Sequence, residues 1–472
     1  MTSDCICAPA TAPGGAISIV RVSGAGCLGI VDTVVDFRHG SAASASGFSV
    51  KFGVIPELDE VLVSIFRAPH SYTGEDMAEI SCHASPFIVS GILERLCAAG
   101  CRLAQAGEFT QRAFVAGKMD LSQAEAVADL IASDSAASHK LAYSQLRGAY
   151  SQKLHDLKRQ MTELAALLEL ELDFSEEEVE FADRSRLRGM VQETLLEVQK
   201  LAESFKLGNA FKKGIPVAIV GAVNSGKSTL LNALLGEDRA IVSDIPGTTR
   251  DTIEEVITLN GIKYRFIDTA GLRETADTVE QMGIDRSFAQ LEQASVVIVL
   301  LDGTAALQQL QEVVSAVKSR LPETGSRVIW VQSKADLLAG SKTGCFDPQA
   351  PVSGPFGIRN EAFCSRLGIP EAIELSALNG QGLEKLKEAI SKPDSDTLAA
   401  DAVLVTNQRH YDALRRAAAD LNRVQDGLEG GSPTDLVAED LRSSLSALGE
   451  IFGEILPDDI LGAVFSRFCV GK

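Results

Sequence analysis

The chain has 472 residues, 45% hydrophobic and 23% charged, with a formal net charge of −20. That length predicts two to four domains with ample core. The acidic balance excludes a broad nonspecific nucleic-acid footprint, which needs clustered Lys and Arg, so any RNA contact must be local or shared with a partner.

No apolar run approaches the ~20 residues that span a bilayer. Asp4 lies where a signal peptide would be basic and then apolar. A cytoplasmic protein without membrane contact is expected. The nine cysteines include no C-x-x-C pair, and Cys5, Cys7, Cys97 and Cys101 read as small apolar residues packing in a reducing compartment.

Residues 1–118 predict an α/β domain, with strands at 16–22 and 60–66 and a helix at 85–99 spaced by Ile88, Ile92, Leu93 and Leu96. Helical sequence fills 119–210. Ser122-Gln123-Ala124-Glu125 fits a capping box, and Leu154, Leu157, Met161, Leu164 and Leu168 recur at helical spacing. The acidic turn 173–178 interrupts this run before a helix at 187–205. Residues 211–392 predict a nucleotide-binding domain, in which Asn260-Gly261 marks a tight hairpin and 340–370 a surface insertion. Residues 391–396 read as its exit linker. Helices resume over 393–472, where Ser432-Pro433-Thr434-Asp435 reads as a start with Ser at the cap. Gly427-Leu428-Glu429-Gly430 reads as an acidic loop between helices. The helices on either side of the nucleotide domain are expected to pack together, making it an insertion, although two separate bundles fit the same pattern.

The apolar run 215–220 enters Gly221-Ala222-Val223-Asn224-Ser225-Gly226-Lys227-Ser228 and continues into Thr229-Leu230-Leu231. This strand, G-x-x-x-x-G-K-S loop and helix form a phosphate-binding loop. Lys227 is expected to reach the terminal phosphates and Ser228 to ligate Mg²⁺. Pro246-Gly247-Thr248-Thr249-Arg250-Asp251 has the position of a switch loop. Asp268-Thr269-Ala270-Gly271 ends a strand with a carboxylate for the Mg²⁺ shell and an N–H that senses the γ-phosphate. Ser333-Lys334-Ala335-Asp336 supplies an Asp that can accept two hydrogen bonds from guanine, and Ser376-Ala377-Leu378 matches the loop behind the base. In this order the five segments specify GTP.

A Gln after D-x-x-G orients water in Ras-like enzymes. Here Leu272 follows Gly271. Glu280 is a candidate to position water through a second water, although an exposed carboxylate on a switch helix reads equally well. The Asn224 carbonyl could coordinate a monovalent cation, or Asn224 could simply brace its loop.

Further motifs extend the pattern: Ile19-Val20-Arg21-Val22-Ser23-Gly24, Tyr72-Thr73-Gly74-Glu75-Asp76, Gly107-Glu108-Phe109-Thr110-Gln111-Arg112, Gly117-Lys118-Met119-Asp120-Leu121-Ser122, and the ending Phe468-Cys469-Val470-Gly471-Lys472. With them the chain resembles the MnmE (TrmE) family, the bacterial and organellar GTPases of tRNA wobble-uridine modification. The resemblance implies an α/β plus all-α protein: an N-terminal α/β folate-binding and dimerisation domain (1–118), a discontinuous helical domain (119–210 and 393–472), and an inserted Ras-like P-loop GTPase domain (211–392). It implies a homodimer working with the flavoprotein MnmG (GidA) on tRNA. Together they add an aminomethyl or carboxymethylaminomethyl group to C5 of the wobble uridine, the one-carbon unit coming from 5-formyl- or methylene-tetrahydrofolate. Arg21, Glu79, Lys118 and Lys472 would face the folate.

GTP would be held by Asn224, Ser225, Gly226, Lys227, Ser228, Thr229, Ser243, Thr248, Thr249, the 268–271 motif, Lys334, Asp336, Ser376 and Ala377. Mg²⁺ would take Ser228 and Thr249. K⁺ would take Asn224, Ser243, Ile245 and Thr248, stimulating hydrolysis as two GTPase domains meet. Glu280, Lys227 and Cys469 would be catalytic. A ribosome-assembly or RNA-binding GTPase switch, without base chemistry, is the competing function. Ser333 stands where the family has Asn. That change is expected to remove a brace between base loop and phosphate loop and to weaken GTP binding, with guanine choice kept by Asp336.

Overall fold

The computed structural model describes residues 4–173, 184–237, 255–267, 294–321, 325–338, 360–399, 403–454 and 458–466, together with Phe468 and Gly471. The chain divides into two compact units, one of Met1–Ala132, Ala142–Ala202 and Gln408–Lys472, the other of Ser133–Leu141 and Glu203–Asn407.

In chain order the first elements are β1 (Ile6–Pro9), β2 (Ile17–Ser23), α1 (Cys27–Val34), β3 (Asp36–Phe37), β4 (Ser49–Ile55), β5 (Asp59–Phe66), β6 (Met77–His83), α2 (Pro86–Ala98), β7 (Arg102–Leu103) and α3 (Glu108–Val115). Then come α4 (Leu121–Ala132), α5 (Ala136–Leu146), α6 (Ala149–Asp173), α7 (Arg184–Lys213), β8 (Ile215–Gly221), α8 (Lys227–Glu237), β9 (Glu255–Leu259), β10 (Ile262–Phe266) and β11 (Val296–Asp302). The remainder are α9 (Leu307–Arg320), β12 (Arg327–Ser333), α10 (Ala335–Leu338), α11 (Asn360–Leu367), β13 (Ile373–Glu374), α12 (Leu383–Ala399), α13 (Gln408–Gly430), α14 (Thr434–Phe452) and α15 (Asp458–Phe465).

The first unit is built on a sheet of order β3-β4-β5-β6-β2-β1-β7. Val61, Val63 and Ile65 alternate inward along β5, as a half-covered strand requires. They join Val20, Val22 and Ile80 in a core closed by Val31 of α1 and Ile92 and Leu96 of α2. In the helical part, Leu154, Leu157, Met161, Leu164 and Leu168 are all buried along one face of α6, the face their spacing predicts.

Three local expectations change. The cap of α4 lies two residues before the predicted box. The Asp120 carboxylate accepts the Gln123 N–H at 2.9 Å, and the Gln123 side-chain oxygen accepts the Asp120 N–H at 3.0 Å. Glu125 is thereby freed to turn inward, where the Arg409 guanidinium grips both its oxygens at 3.0 Å. His410 Nε2 also lies 2.6 Å from that carboxylate. Burial pushes the Glu125 carboxyl up, but His410 and Arg409 outweigh it and hold it at about 2. Helix α14 starts at Thr434 behind Pro433, without a side-chain cap bond, so Ser432 is not its cap. The glycines of the predicted Gly427–Gly430 loop instead close α13.

The second unit carries a sheet of order β13-β12-β11-β8-β10-β9. It is parallel apart from the β9–β10 hairpin, which turns on Asn260 and Gly261 at φ 51° and 75°. Strand β11 is buried from Val296 to Leu301, the pattern of a central strand covered on both faces. The predicted exit linker is helical. Residues 391–396 continue α12 despite Pro393. Asp394 accepts from the Tyr264 hydroxyl at 2.8 Å and from Arg327 at 2.9 Å, and Ser391 accepts from Asn260 at 2.8 Å. Those side-chain bonds outweigh the local preference of a proline-containing polar stretch for a linker.

Candidate functional site

Strand β8 delivers the chain into the phosphate loop and α8 takes it out. Between them Asn224 and Gly226 adopt left-handed backbone, φ 60° and 98°, a conformation Asn tolerates and Gly takes freely. Gly221 is required by crowding: a Cβ there would sit 2.6 Å from the Leu300 carbonyl and 2.7 Å from Ser225 Oγ. Ser225 Oγ is itself buried without a hydrogen-bond partner, an orphaned polar atom within the cradle. Lys227 Nζ donates to the Gly221 and Ala222 carbonyls at 2.9 and 2.8 Å, and burial lowers its pKa. With the partial positive charge at the start of α8, this loop fits an anionic phosphate. Ser228 and Thr229 are exposed on the first turn of α8.

The loops expected to read the base are tied to the phosphate loop, not cut off from it. Ser333 Oγ donates to the Ser225 carbonyl at 2.8 Å, so the expected loss of a brace is wrong. Strand pairing explains why the short side chain suffices. Ser333 lies opposite Asp302 at the end of β11, and β11 pairs directly with β8, so a hydroxyl spans the remaining gap. Lys334, at φ 60°, places Nζ 2.6 Å from Asp302 Oδ2. Thr304 adds its N–H at 2.9 Å and its hydroxyl at 2.7 Å to the same carboxylate. Burial raises the Asp302 carboxyl, yet Lys334 and Thr304 together hold it below the usual range. The hydroxyl of buried Ser376 donates to Asp336 Oδ1 at 2.7 Å, fixing the carboxylate expected to read guanine. Ala377 follows it, and Leu378 is exposed.

In the other unit, Arg21 and Glu79 are paired across β2 and β6. Arg21 Nε and Nη2 donate to Glu79 Oε1 at 3.0 and 2.8 Å, and Nη1 donates to the Gly471 carbonyl at 3.2 Å. The guanidinium lies 5.2 Å from the Tyr72 ring centroid and 5.6 Å from that of Phe109, within cation–π range. Gly471, at φ 99°, passes so close to β1 that a Cβ would meet the Pro9 carbonyl at 1.9 Å. Lys118 Nζ donates to the Pro69 carbonyl at 2.9 Å.

Ser243, Ile245, Thr248, Thr249, Asp268, Thr269, Ala270, Gly271, Glu280, Cys469 and Lys472 lie outside the described residues. Among the described residues, no group of three or more His, Cys, Asp or Glu is arranged to hold a metal ion, and no helix is long and apolar enough to cross a membrane. Sequence reading missed Asp302 and Thr304, and it named Tyr72 and Phe109 within motifs without foreseeing their place beside Arg21. Asp302 had a signal: it is the acid that closes the apolar run of β11.

A family model described as the MnmE helical domain matches residues 121–469, and another described as the GTP-binding protein TrmE N-terminus matches 5–118. The chain belongs to the MnmE family. The tRNA modification GTPase MnmE of Parabacteroides distasonis is 47% identical over 476 residues, covering 99% of each chain. MnmE of Bacteroides thetaiotaomicron is 45% identical over 485 residues, covering 100% of both. Among solved structures, the G domain of the T. maritima FeoB iron transporter matches 38% of this chain and 97% of its own at 26% identity, with a TM-score of 0.26, too low to bear on the fold. The chain thus has the MnmE make-up, α/β at its N-terminus with helical and GTP-binding parts behind it.

Proposed function

We propose that this chain hydrolyses GTP as a component of the complex that adds an aminomethyl or carboxymethylaminomethyl group to C5 of the tRNA wobble uridine. The observation that carries the reading is the linked guanine site: Ser376 holds Asp336, Asp302 holds Lys334, and Ser333 joins their strand to the phosphate loop. GTP would lie between Lys227 and Asp336. Mg²⁺, supplying charge neutralisation at the phosphates, would take the Ser228 hydroxyl. K⁺ would take Asn224, whose left-handed backbone puts it at the exposed crest of the loop.

For a folate, Arg21 and Glu79 offer a guanidinium and a carboxylate beside two aromatic rings, a donor and acceptor set suited to a flat heterocycle with an acidic tail. Homodimerisation through the N-terminal unit is supported by an apolar stripe on the open face of the sheet, where Val50, Phe52 and Val54 of β4 adjoin Leu62 of β5, all exposed. A surface of that kind is a common protein contact. The flavoprotein MnmG and tRNA complete the proposed machine. The ribosome-assembly alternative gains nothing from Gly427–Gly430, which closes a helix.

The deciding test is GTP turnover in K⁺ against Na⁺ buffer across enzyme concentrations, with nucleoside analysis of wobble uridine in a deletion strain. Turnover indifferent to ion and concentration would remove the paired, cation-dependent mechanism. Unchanged wobble nucleosides would remove the tRNA role.

A further inference from the structure

Four cysteines converge where β1 meets β7 and the end of α2. Successive side chains on a strand alternate between faces, so Cys5 and Cys7 share one. Cys97 and Cys101 approach that face from the end of α2 and the residues beyond it. Cys5 Sγ lies 3.1 Å from Cys101 Sγ, and Cys7 Sγ lies 4.0 Å from Cys97 Sγ. Cys7 also interacts with Cys101. The thiols therefore form a row, Cys97–Cys7–Cys101–Cys5. Its first member is partly exposed and the other three are buried. All belong to or pack against the core of the N-terminal sheet, and none has a part in the proposed GTP or folate chemistry.

We propose that this row is an oxidisable centre that ends as a reversible Cys5–Cys101 disulfide, with Cys97 as the entry thiol and Cys7 as the relay. The backbone already suits that bond. The Arg102 N–H donates to the Cys5 carbonyl at 2.8 Å, in register with the parallel Ile6–Arg102 pair. Cys5 and Cys101 are therefore neighbours on adjacent strands. Strands lie ~4.8 Å apart, inside the ~4.4–6.8 Å between Cα atoms that a disulfide takes.

With a peroxide as oxidant, the Cys97 thiolate attacks oxygen and the O–O bond breaks. Hydroxide or alkoxide leaves and takes a proton, and Cys97 becomes a sulfenic acid. Cys7 attacks that sulfur; the S–S bond forms, the S–O bond breaks and water departs. Cys101 then attacks Cys7 and releases the Cys97 thiolate, and Cys5 attacks Cys101 and releases the Cys7 thiolate. Protons lost by the attacking thiols return to the departing ones. Two thiols and one peroxide give one disulfide, one water and one water or alcohol. Contact with Cys101, together with burial, pushes the Cys7 thiol far up. Contact with Cys5 pushes Cys101 to about 12, and burial raises Cys97. Oxidation is accordingly slow at neutral pH and accelerates as pH rises, which keeps the row reduced in a thiol-rich compartment until oxidant persists.

The test uses the full chain, reduced, desalted and treated natively with hydrogen peroxide before alkylation. Trypsin leaves Cys5 with Cys7 and Cys97 with Cys101, so fragmentation of the cross-linked peptide pair assigns the bond. The expected result is a Cys5–Cys101 link, reversed by dithiothreitol and formed several-fold more slowly in Cys97→Ser, a rim substitution that leaves the core intact. Four thiols that remain alkylatable, oxidation that stops on Cys97, or a link to any other cysteine overturns the proposal. An unchanged rate in Cys97→Ser overturns the relay.

Discussion

The Ser333 hydroxyl donates to the Ser225 carbonyl across 2.8 Å, so the strand that ends in the loop proposed to read guanine is fastened directly to the phosphate loop. Both groups are buried, and losing one partner of a buried hydrogen bond costs about 1–3 kcal/mol. Ser333→Ala should therefore weaken GTP and GDP together, by roughly tenfold if 1.4 kcal/mol reaches the binding equilibrium. Ser333→Asn should change affinity less than Ser333→Ala. Titration of a fluorescent guanine nucleotide measures both; an unaltered Kd in the alanine variant refutes the coupling.

Asp302 holds Lys334, and through it is placed to act on the proposed base site. Replacing it with Asn keeps the Thr304 interactions within reach but removes the charge that anchors Nζ. Asp302→Asn should lower GTP affinity several-fold and leave the preference for guanine over xanthine intact, because Asp336 and Ser376 are untouched. Asp336→Asn should invert that preference. Competition binding with GTP and xanthosine triphosphate separates the two roles; loss of base choice in Asp302→Asn would contradict this division.

The Glu125–Arg409–His410 cluster predicts a pH signature. Glu125 has a folded pKa of about 2 against an ordinary 4.5, so its stabilisation is complete above the unfolded value. It is lost as pH falls from about 4.5 towards 2. Thermal unfolding between pH 6 and 3 (roughly the window this linkage spans) should show a falling Tm that is shallower in Glu125→Gln. At neutral pH the variant leaves Arg409 without its buried counter-charge and should lose on the order of 3 kcal/mol. Parallel pH profiles for the two proteins would show the carboxylate has no such part.

Gly471 has no room for a side chain beside Pro9. Gly471→Ala should therefore displace the carbonyl that Arg21 binds and weaken 5-formyl-tetrahydrofolate binding by about tenfold, some 1.4 kcal/mol, while guanine-nucleotide affinity stays constant. Calorimetry with both ligands on one preparation decides it. Equal losses for both ligands would point to general unfolding and count against a local role.

Much of this was legible in the sequence, because the decisive features are local. A strand followed by G-x-x-x-x-G-K-S can hardly avoid making a phosphate loop, and α6 shows its buried face in the spacing of Leu154 to Leu168. What escaped depends on distant partners. Residues 391–396 look like a linker until Tyr264 and Arg327 arrive from other strands. Glu125 looks like a capping residue until Arg409 and His410 draw it inward. Ser333 looks too short to brace the loops until the pairing of β12, β11 and β8 narrows the gap it must cross. Tyr72 and Phe109 stood within family-like motifs, but nothing beside them along the chain announces the Arg21 guanidinium they meet in space.

The bond from Arg21 to the Gly471 carbonyl joins residues 450 positions apart. At ~5–20 residues per second of synthesis, roughly 20–90 s separate their emergence from the ribosome. The N-terminal sheet must therefore wait, with that arginine held only by Glu79 and its aromatic neighbours, while every later segment is made. A nascent chain arrested beyond its nucleotide-binding part but short of its tail would carry a phosphate loop while Arg21 still lacked the Gly471 carbonyl, so GTP binding would part company from the proposed folate binding.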